Sequence, residues 1–226
     1  MTNKMRILFT GGGTGGHLSP IVAVARELKK IAPKKGIDLR LFYLGPKDFV
    51  GEFLQKEDIK VKTILAGKLR RYFSFKTILD IFKIPIGLVQ AIWFVYVWMP
   101  DIVFSKGGYG SAPAVFASWL FRVPILIHES DAVPGLANRL GGQMAKKIAL
   151  SFSSSKKYFF QEKTALVGNP IRLEFSQGNR EEGIRIFELS SSKPIILIMG
   201  SSQGAEAINE ITIKTLSQLL EKYEII

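Results

Sequence analysis

Residues 7–20 read ILFTGGGTGGHLSP, an apolar run followed by five glycines in six positions and one of the two histidines of the chain. The order predicts a buried strand, a glycine loop and a helix. The backbone N–H groups of such a loop, together with the helix N-terminus, make a preformed anion site. Glycine lets an anion approach the main chain closely. Gly11, Gly13 and Gly16 formally match G-x-G-x-x-G. A dinucleotide site then asks for an acid at the end of the second strand, but that strand ends FYLGP, with Asp38 before it and Asp48 after it. A P-loop asks for Gly-Lys-Ser/Thr, and His17 follows Gly16 instead. Neither standard nucleotide loop is present, so the stretch fixes an α/β unit with an anion-binding turn of another kind.

Working outward, short apolar runs at 5–10, 38–45, 59–66, 101–107, 123–130 and 146–152 alternate with helical patterns. They are too apolar for a half-exposed antiparallel sheet and predict a parallel sheet covered on both faces. In the first helix Ile21, Val24, Ala25, Leu28 and Ile31 fall on one face, and Pro33 ends it. Further helices are expected from Ser74 as an N-cap, over 111–121 and over 134–145. The carboxyl ends of parallel strands form one ligand-binding edge. The loops at 11–16, 107–110 and 128–135 should therefore converge there. His128 reads equally as a strand-end residue bonded to its neighbours.

After Pro170 the texture changes. Residues 171–192 read as a polar linker, and a buried strand at 194–199 opens a second βα start with a helix from about Ala205 to Leu220. About 40 residues do not complete an open sheet. The expected domains are 1–170, a linker at 171–192 and the incomplete start of a second domain at 193–226.

The composition bounds the chemistry. With no cysteine and two histidines far apart in sequence, neither a disulfide nor a metal centre is expected. The N-terminus lacks a signal-peptide pattern, which points to the cytoplasm. Of the formal charge of +12, six units come from residues 60–83, where Lys60, Lys62, Lys68, Arg70, Arg71, Lys76 and Lys83 face one acid, Asp80. Such a patch suits nucleic acid, a membrane surface or a phosphorylated ligand. Residues 84–100, IPIGLVQAIWFVYVWMP, are interrupted by Pro85, Gly87 and Gln90. A spanning helix wants about 20 apolar residues, so a buried or interfacial helix is expected.

GGGTGGHLSP, GGYGSAP, HESDAVPGLANR, VGNPIR and GSSQGAEAIN occur in this order. Together they closely resemble the MurG family over the whole chain. The resemblance implies a GT-B fold of two Rossmann-like domains, the second incomplete here. It implies an inverting transferase that moves N-acetylglucosamine from UDP-N-acetylglucosamine to undecaprenyl-pyrophosphoryl-MurNAc-pentapeptide (lipid I), forming lipid II for peptidoglycan. No cofactor or metal is implied. His17 matches the histidine proposed as general base, and Glu129 is grouped with it as a catalytic candidate. Thr14, Gly15 and Gly16 match the first ligand loop. Gly107, Gly108 and Tyr109 match the loop thought to cradle the acceptor diphosphate. Glu129 and Asn138 match polar rim positions, and Arg172, Ser202 and Gln203 match donor-side positions. Ser201 stands where many members have glycine. Asp131 stands where many have an asparagine, and an ionised carboxylate cannot donate the amide contact expected there.

The family's members are peripheral membrane proteins. The resemblance thus assigns the basic patch and the Trp93–Trp98 region to an anionic membrane surface on the cytoplasmic face, with nucleic acid not a partner. Residues 1–226 alone are expected not to turn over.

Overall fold

The computed structural model describes residues 3–12, 15–47, 50–67, 75–190, 193–200 and 205–226. The chain divides into two compact units, Met1–Arg172 and Leu173–Ile226.

The first unit is built on β1 (Asn3–Thr10), β2 (Ile37–Gly45), β3 (Lys60–Thr63), β4 (Ile102–Ser105), β5 (Ile125–Glu129), β6 (Lys147–Leu150) and β7 (Thr164–Leu166). These form one sheet in the order β3-β2-β1-β4-β5-β6-β7, with every pair parallel. Among the described residues the unit also has five α-helices, α1 (Gly15–Lys34), α2 (Val50–Gln55), α3 (Phe75–Trp98), α4 (Ala112–Leu120) and α5 (Leu136–Met144). The alternation of side chains along β1 divides the core in two. Leu8 joins Phe42, Val103, Ile125 and Ile127 on the face covered by Ala91 and Val95 of α3 and Ala114 and Val115 of α4. Ile7 and Phe9 join Leu41, Tyr43 and Phe104 on the face covered by Leu18, Ile21, Val22 and Ala25 of α1. Burying each of the Val, Leu, Ile and Phe side chains contributes about 1.5–3 kcal/mol.

The six strands predicted for the first unit are present, with shorter bounds at β3, β4, β5 and β6. β4 stops at Ser105 because Gly107 and Gly108 turn to φ 87° and 81°, outside the extended region. β7 was not expected. Three apolar or half-apolar residues between polar segments carry too little pattern to be read. The buried face of α1 also differs from its expected stripe. Ile31 is 44% exposed, and Ala32 is buried in its place. Pro33 lies inside the last turn rather than outside it.

α3 is the apolar segment 84–98 extended N-terminally. Among the described residues no helix is long and apolar enough to cross a membrane. The interruptions that set this segment apart have local uses. Gln90 Oε1 accepts the N–H of Leu65 at 2.8 Å. Gly87 is buried, with the Leu65 carbonyl where a side chain would stand. α3 therefore docks the loop after β3. Its two terminal tryptophans part company: Trp98 is buried and stacks on Phe42 at 4.8 Å, whereas Trp93 is 61% exposed.

The second unit contains α6 (Arg180–Ile186), β8 (Ile195–Ile196), α7 (Glu206–Lys222) and β9 (Glu224–Ile225). β8 and β9 pair in parallel. α6 falls in the segment read as a linker. Asn179 caps it, its Oδ1 accepting the N–H groups of Glu181 and Glu182. The strand expected at 194–199 is corrected: only Ile195 and Ile196 are paired, and Leu197 and Met199 are exposed. With two short strands and one long helix, this unit lacks the layers needed to bury that run.

Candidate functional site

The strand order reverses between β1 and β4. α1, after β1, covers one face of the sheet, and α4, after β4, covers the other. Their loops are thereby splayed apart, leaving a crevice beyond the carboxyl ends of the strands. Main-chain bonds tie the floor of this crevice together. Lys106 N–H donates to Thr10 O at 2.8 Å. Thr10 Oγ1 donates to Leu44 O at 2.7 Å, and the Tyr43 hydroxyl donates to Gly11 O at 3.0 Å.

The two glycine loops interlock. A Cβ at Gly12 would lie 2.9 Å from Gly110 N. A Cβ at Gly108 would lie 3.2 Å from His17 Nε2 and 3.3 Å from Gly12 N. The glycines are thus used first to bring two backbones and one imidazole together, and the crevice is the result.

A cavity of about 590 Å³ opens at this junction. Its lining includes the polar groups of His17, Lys106, Tyr109, Glu129, Ser130, Asp131 and Asn138, with Gly108, and the apolar side chains of Ile84, Leu88, Phe116, Leu136 and Leu140. Glu129 is buried at the end of β5. Its Oε1 accepts the Asp131 N–H at 2.8 Å and its Oε2 accepts Asn138 Nδ2 at 2.9 Å. It therefore shapes the loop after β5 and fixes α5 to it. The His17 imidazole has its pKa pushed below the usual 6.5, first by burial and then by the Lys106 charge, against an opposing pull from Asp131. It is held neutral near pH 7, the form that accepts a proton.

Of the predicted site residues, the fold brings His17, Gly108, Tyr109, Glu129, Asp131 and Asn138 to one cavity. Gly107 lies beneath it, with the Asn138 amide 2.5 Å from where its Cβ would be. Gly15 and Gly16 open α1 outside the cavity lining. Arg172, the last residue of the first unit, is not among the lining residues either. Thr14, Ser202 and Gln203 lie outside the described residues.

His128 takes its strand-end reading. It is 1% exposed and donates from Nε2 to Gly168 O at 3.0 Å. Burial lowers its pKa despite that bond, with Lys106 adding to the effect. Sequence reasoning missed Lys106, Ser130 and the apolar lining. The available signal for the lysine was a cation placed directly between an apolar strand and a glycine loop.

Residues 7–150 match the glycosyltransferase family 28 N-terminal domain. The transferase from Legionella pneumophila (strain Lens) named for UDP-N-acetylglucosamine and N-acetylmuramyl-(pentapeptide) pyrophosphoryl-undecaprenol is 42% identical over 222 residues, covering 97% of this chain and 60% of that protein. A similarly named transferase of Bacillus thuringiensis (strain Al Hakam) is 41% identical over 222 residues, covering 98% of this chain and 61% of that protein. The chain thus spans about 60% of the length of these curated relatives. The crystal structure of Acinetobacter baumannii MurG matches with a TM-score of 0.65 at 26% identity, covering 95% of this chain and 55% of that one. A UDP-GlcNAc 2-epimerase from Neisseria meningitidis, bound to UDP-GlcNAc, shares the fold at a TM-score of 0.62 and 16% identity over 98% of this chain and 64% of that one.

Proposed function

Because the chain belongs to glycosyltransferase family 28, whose N-terminal domain it carries, we propose that it is the acceptor-binding part of an inverting N-acetylglucosaminyltransferase of GT-B fold. The donor in this reading is UDP-N-acetylglucosamine, the acceptor is lipid I and the product is lipid II of peptidoglycan. One observation carries the reading: one cavity is lined by a neutral, half-buried histidine, by residues of the loops after β4 and β5 and by apolar side chains of α3, α4 and α5. Such a cavity suits an amphiphile with a polar, anionic head and a hydrocarbon tail.

In the reaction, His17 removes the proton from the acceptor's C4 hydroxyl. The freed oxygen attacks C1 of the donor sugar from the side opposite UDP. The C1–O bond to UDP breaks as the new bond forms, and the anomeric centre inverts. Positioned general-base catalysis contributes about 10²–10⁴-fold. On the donor side, Arg172 and the loop at 201–204 remain assigned to UDP by resemblance.

An isoprenoid acceptor stays in the membrane, so the enzyme must come to it. Ile86, Val89, Trp93, Tyr96 and Val97 of α3 and Phe116, Trp119 and Leu120 of α4 are exposed, and the two helices pack together. This apolar and aromatic surface, with the exposed Lys60, Lys62 and Lys83, suits a peripheral position on an anionic leaflet. Lys68, Arg70 and Arg71 of the same patch lie outside the described residues. Nucleic acid is not a partner in this reading.

The test is transfer of radiolabelled N-acetylglucosamine by the full-length protein that carries this chain. Label is expected in lipid II when lipid I is the acceptor. Label in diacylglycerol instead would assign a different lipid acceptor, and label in neither would overturn the proposal.

A further inference from the structure

Lys106 is 2% exposed and lines the cavity. Its Nζ donates to Ser130 Oγ at 2.7 Å. No other hydrogen bond or ion pair of its side chain is formed among the described residues. The nearby carboxylates do not serve it. Both Glu129 oxygens are engaged by Asp131 N–H and Asn138 Nδ2, and Asp131 is exposed. A buried ammonium held by one neutral hydroxyl is costly unless something else supplies a counter-charge. Burial pushes its pKa down, against the attraction of Glu129 and Asp131.

Three features say what the counter-charge is. Lys106 runs directly into Gly107 and Gly108, both at positive φ, and Gly108 lines the same cavity as the lysine. An ideal Cβ at Gly11 would lie 3.4 Å from Lys106 Cβ and 3.6 Å from His17 Cβ, so the lysine and the candidate base flank the same point of the first glycine loop. The same cavity is also lined by Ile84, Leu88, Phe116 and Leu136. A diphosphate bearing a hydrocarbon chain fits this combination of groups better than a free diphosphate or a nucleotide.

We propose that the Lys106 ammonium binds the diphosphate of the lipid-linked acceptor, exchanging its Ser130 contact for the anion at the junction of the glycine loops. The proposal rests on the acceptor reading above and adds to it the residue that recognises the diphosphate. The ammonium is a point charge on a flexible stem, so it can turn from Ser130 to the ligand without backbone movement.

The test titrates the intact protein with farnesyl diphosphate, inorganic diphosphate, UDP and farnesol. Farnesyl diphosphate is expected to bind more tightly than inorganic diphosphate or farnesol. Lys106→Met and Lys106→Gln, checked for folding by thermal melting, are expected to weaken farnesyl diphosphate about tenfold or more and to leave UDP unchanged, because a charge-assisted bond is lost. Unchanged affinity for farnesyl diphosphate in a folded variant overturns the proposal, as does a loss confined to UDP. Where a variant does not fold, the wild-type protein decides: farnesyl diphosphate should protect Lys106 from reductive methylation and farnesol should not. Absence of protection overturns the proposal. The acceptor reading is judged separately by transfer to lipid I. If transfer proceeds and Lys106→Met leaves the KM for lipid I unchanged, the reaction stands and the role of Lys106 falls. If protection is seen without transfer, the diphosphate site stands and its assignment to lipid I falls.

Discussion

Asn138 Nδ2 donates to Glu129 Oε2 across 2.9 Å, joining the first turn of α5 to the end of β5 at the wall of the cavity. The other Glu129 oxygen holds the N–H of Asp131. The two donors sit on different oxygens, and a carboxamide offers only one oxygen, its other terminus being a donor. Glu129→Gln would turn an NH₂ group toward one of them. It is expected to cost about 1–3 kcal/mol, the penalty of a buried donor left unsatisfied. Thermal melting checks this, and a melting temperature equal to wild type would show that the network does not hold the loop.

The interlocking of the glycine loops predicts an order of severity. Gly108→Ala places a Cβ at φ 81°, where it would lie 3.2 Å from His17 Nε2. With ψ at 164° this is a backbone region nearly reserved for glycine, costing a residue with a Cβ about 1–3 kcal/mol, and the imidazole must also shift. Gly15→Ala meets nothing within 4 Å and removes a flexible residue from a helix terminus. Activity should fall in the first variant and survive in the second. Equal losses in both would mean that the loops are read by the ligand alone.

The pH dependence follows from His17 and His128. Both have folded pKa values below 6.5, with burial the leading cause. Between the folded value and 6.5 the unfolded chain binds more protons, so stability rises with pH across that window and is lost as pH falls through it. Denaturant midpoints between pH 5 and 7.5 should therefore increase and then level off. The rate should show an acid limb from His17 below 6.5. Lys106→Met removes a charge that lowers the His17 value, so that limb should move to higher pH.

The two tryptophans of α3 separate surface from core. Trp98→Ala removes a buried ring stacked on Phe42 and is expected to cost about 3–5 kcal/mol. Trp93→Ser removes an exposed ring and should leave melting nearly unchanged while weakening co-sedimentation with anionic vesicles. A Trp93→Ser protein that sediments like wild type would remove this face from membrane binding.

The parallel sheet was legible because its strands are apolar on both faces and glycine loops punctuate them. The edge position of β7 and the turn of α6 were not, since Thr164–Leu166 and Arg180–Ile186 carry too few apolar residues for a period to show. At the site, Gly108, Tyr109, Glu129 and Asp131 were legible as loop residues at one sheet edge and His17 as the residue closing the first loop, whereas Asn138, inside α5, came only from the family resemblance. What the glycines touch was not, because close approach of Gly12 to Gly110 is a property of two loops far apart in sequence. Lys106 was hidden for a related reason. Its charge reads as a surface residue until the strand before it and the loop at Ser130 enclose it.

The base role of His17 is the centre of the account. It is tested most directly by the turnover of His17→Ala in the full-length protein, measured with both UDP-N-acetylglucosamine and lipid I at saturation. A fall of about 10²–10⁴-fold in kcat, with substrate binding retained, is the predicted result; near-normal turnover would contradict it.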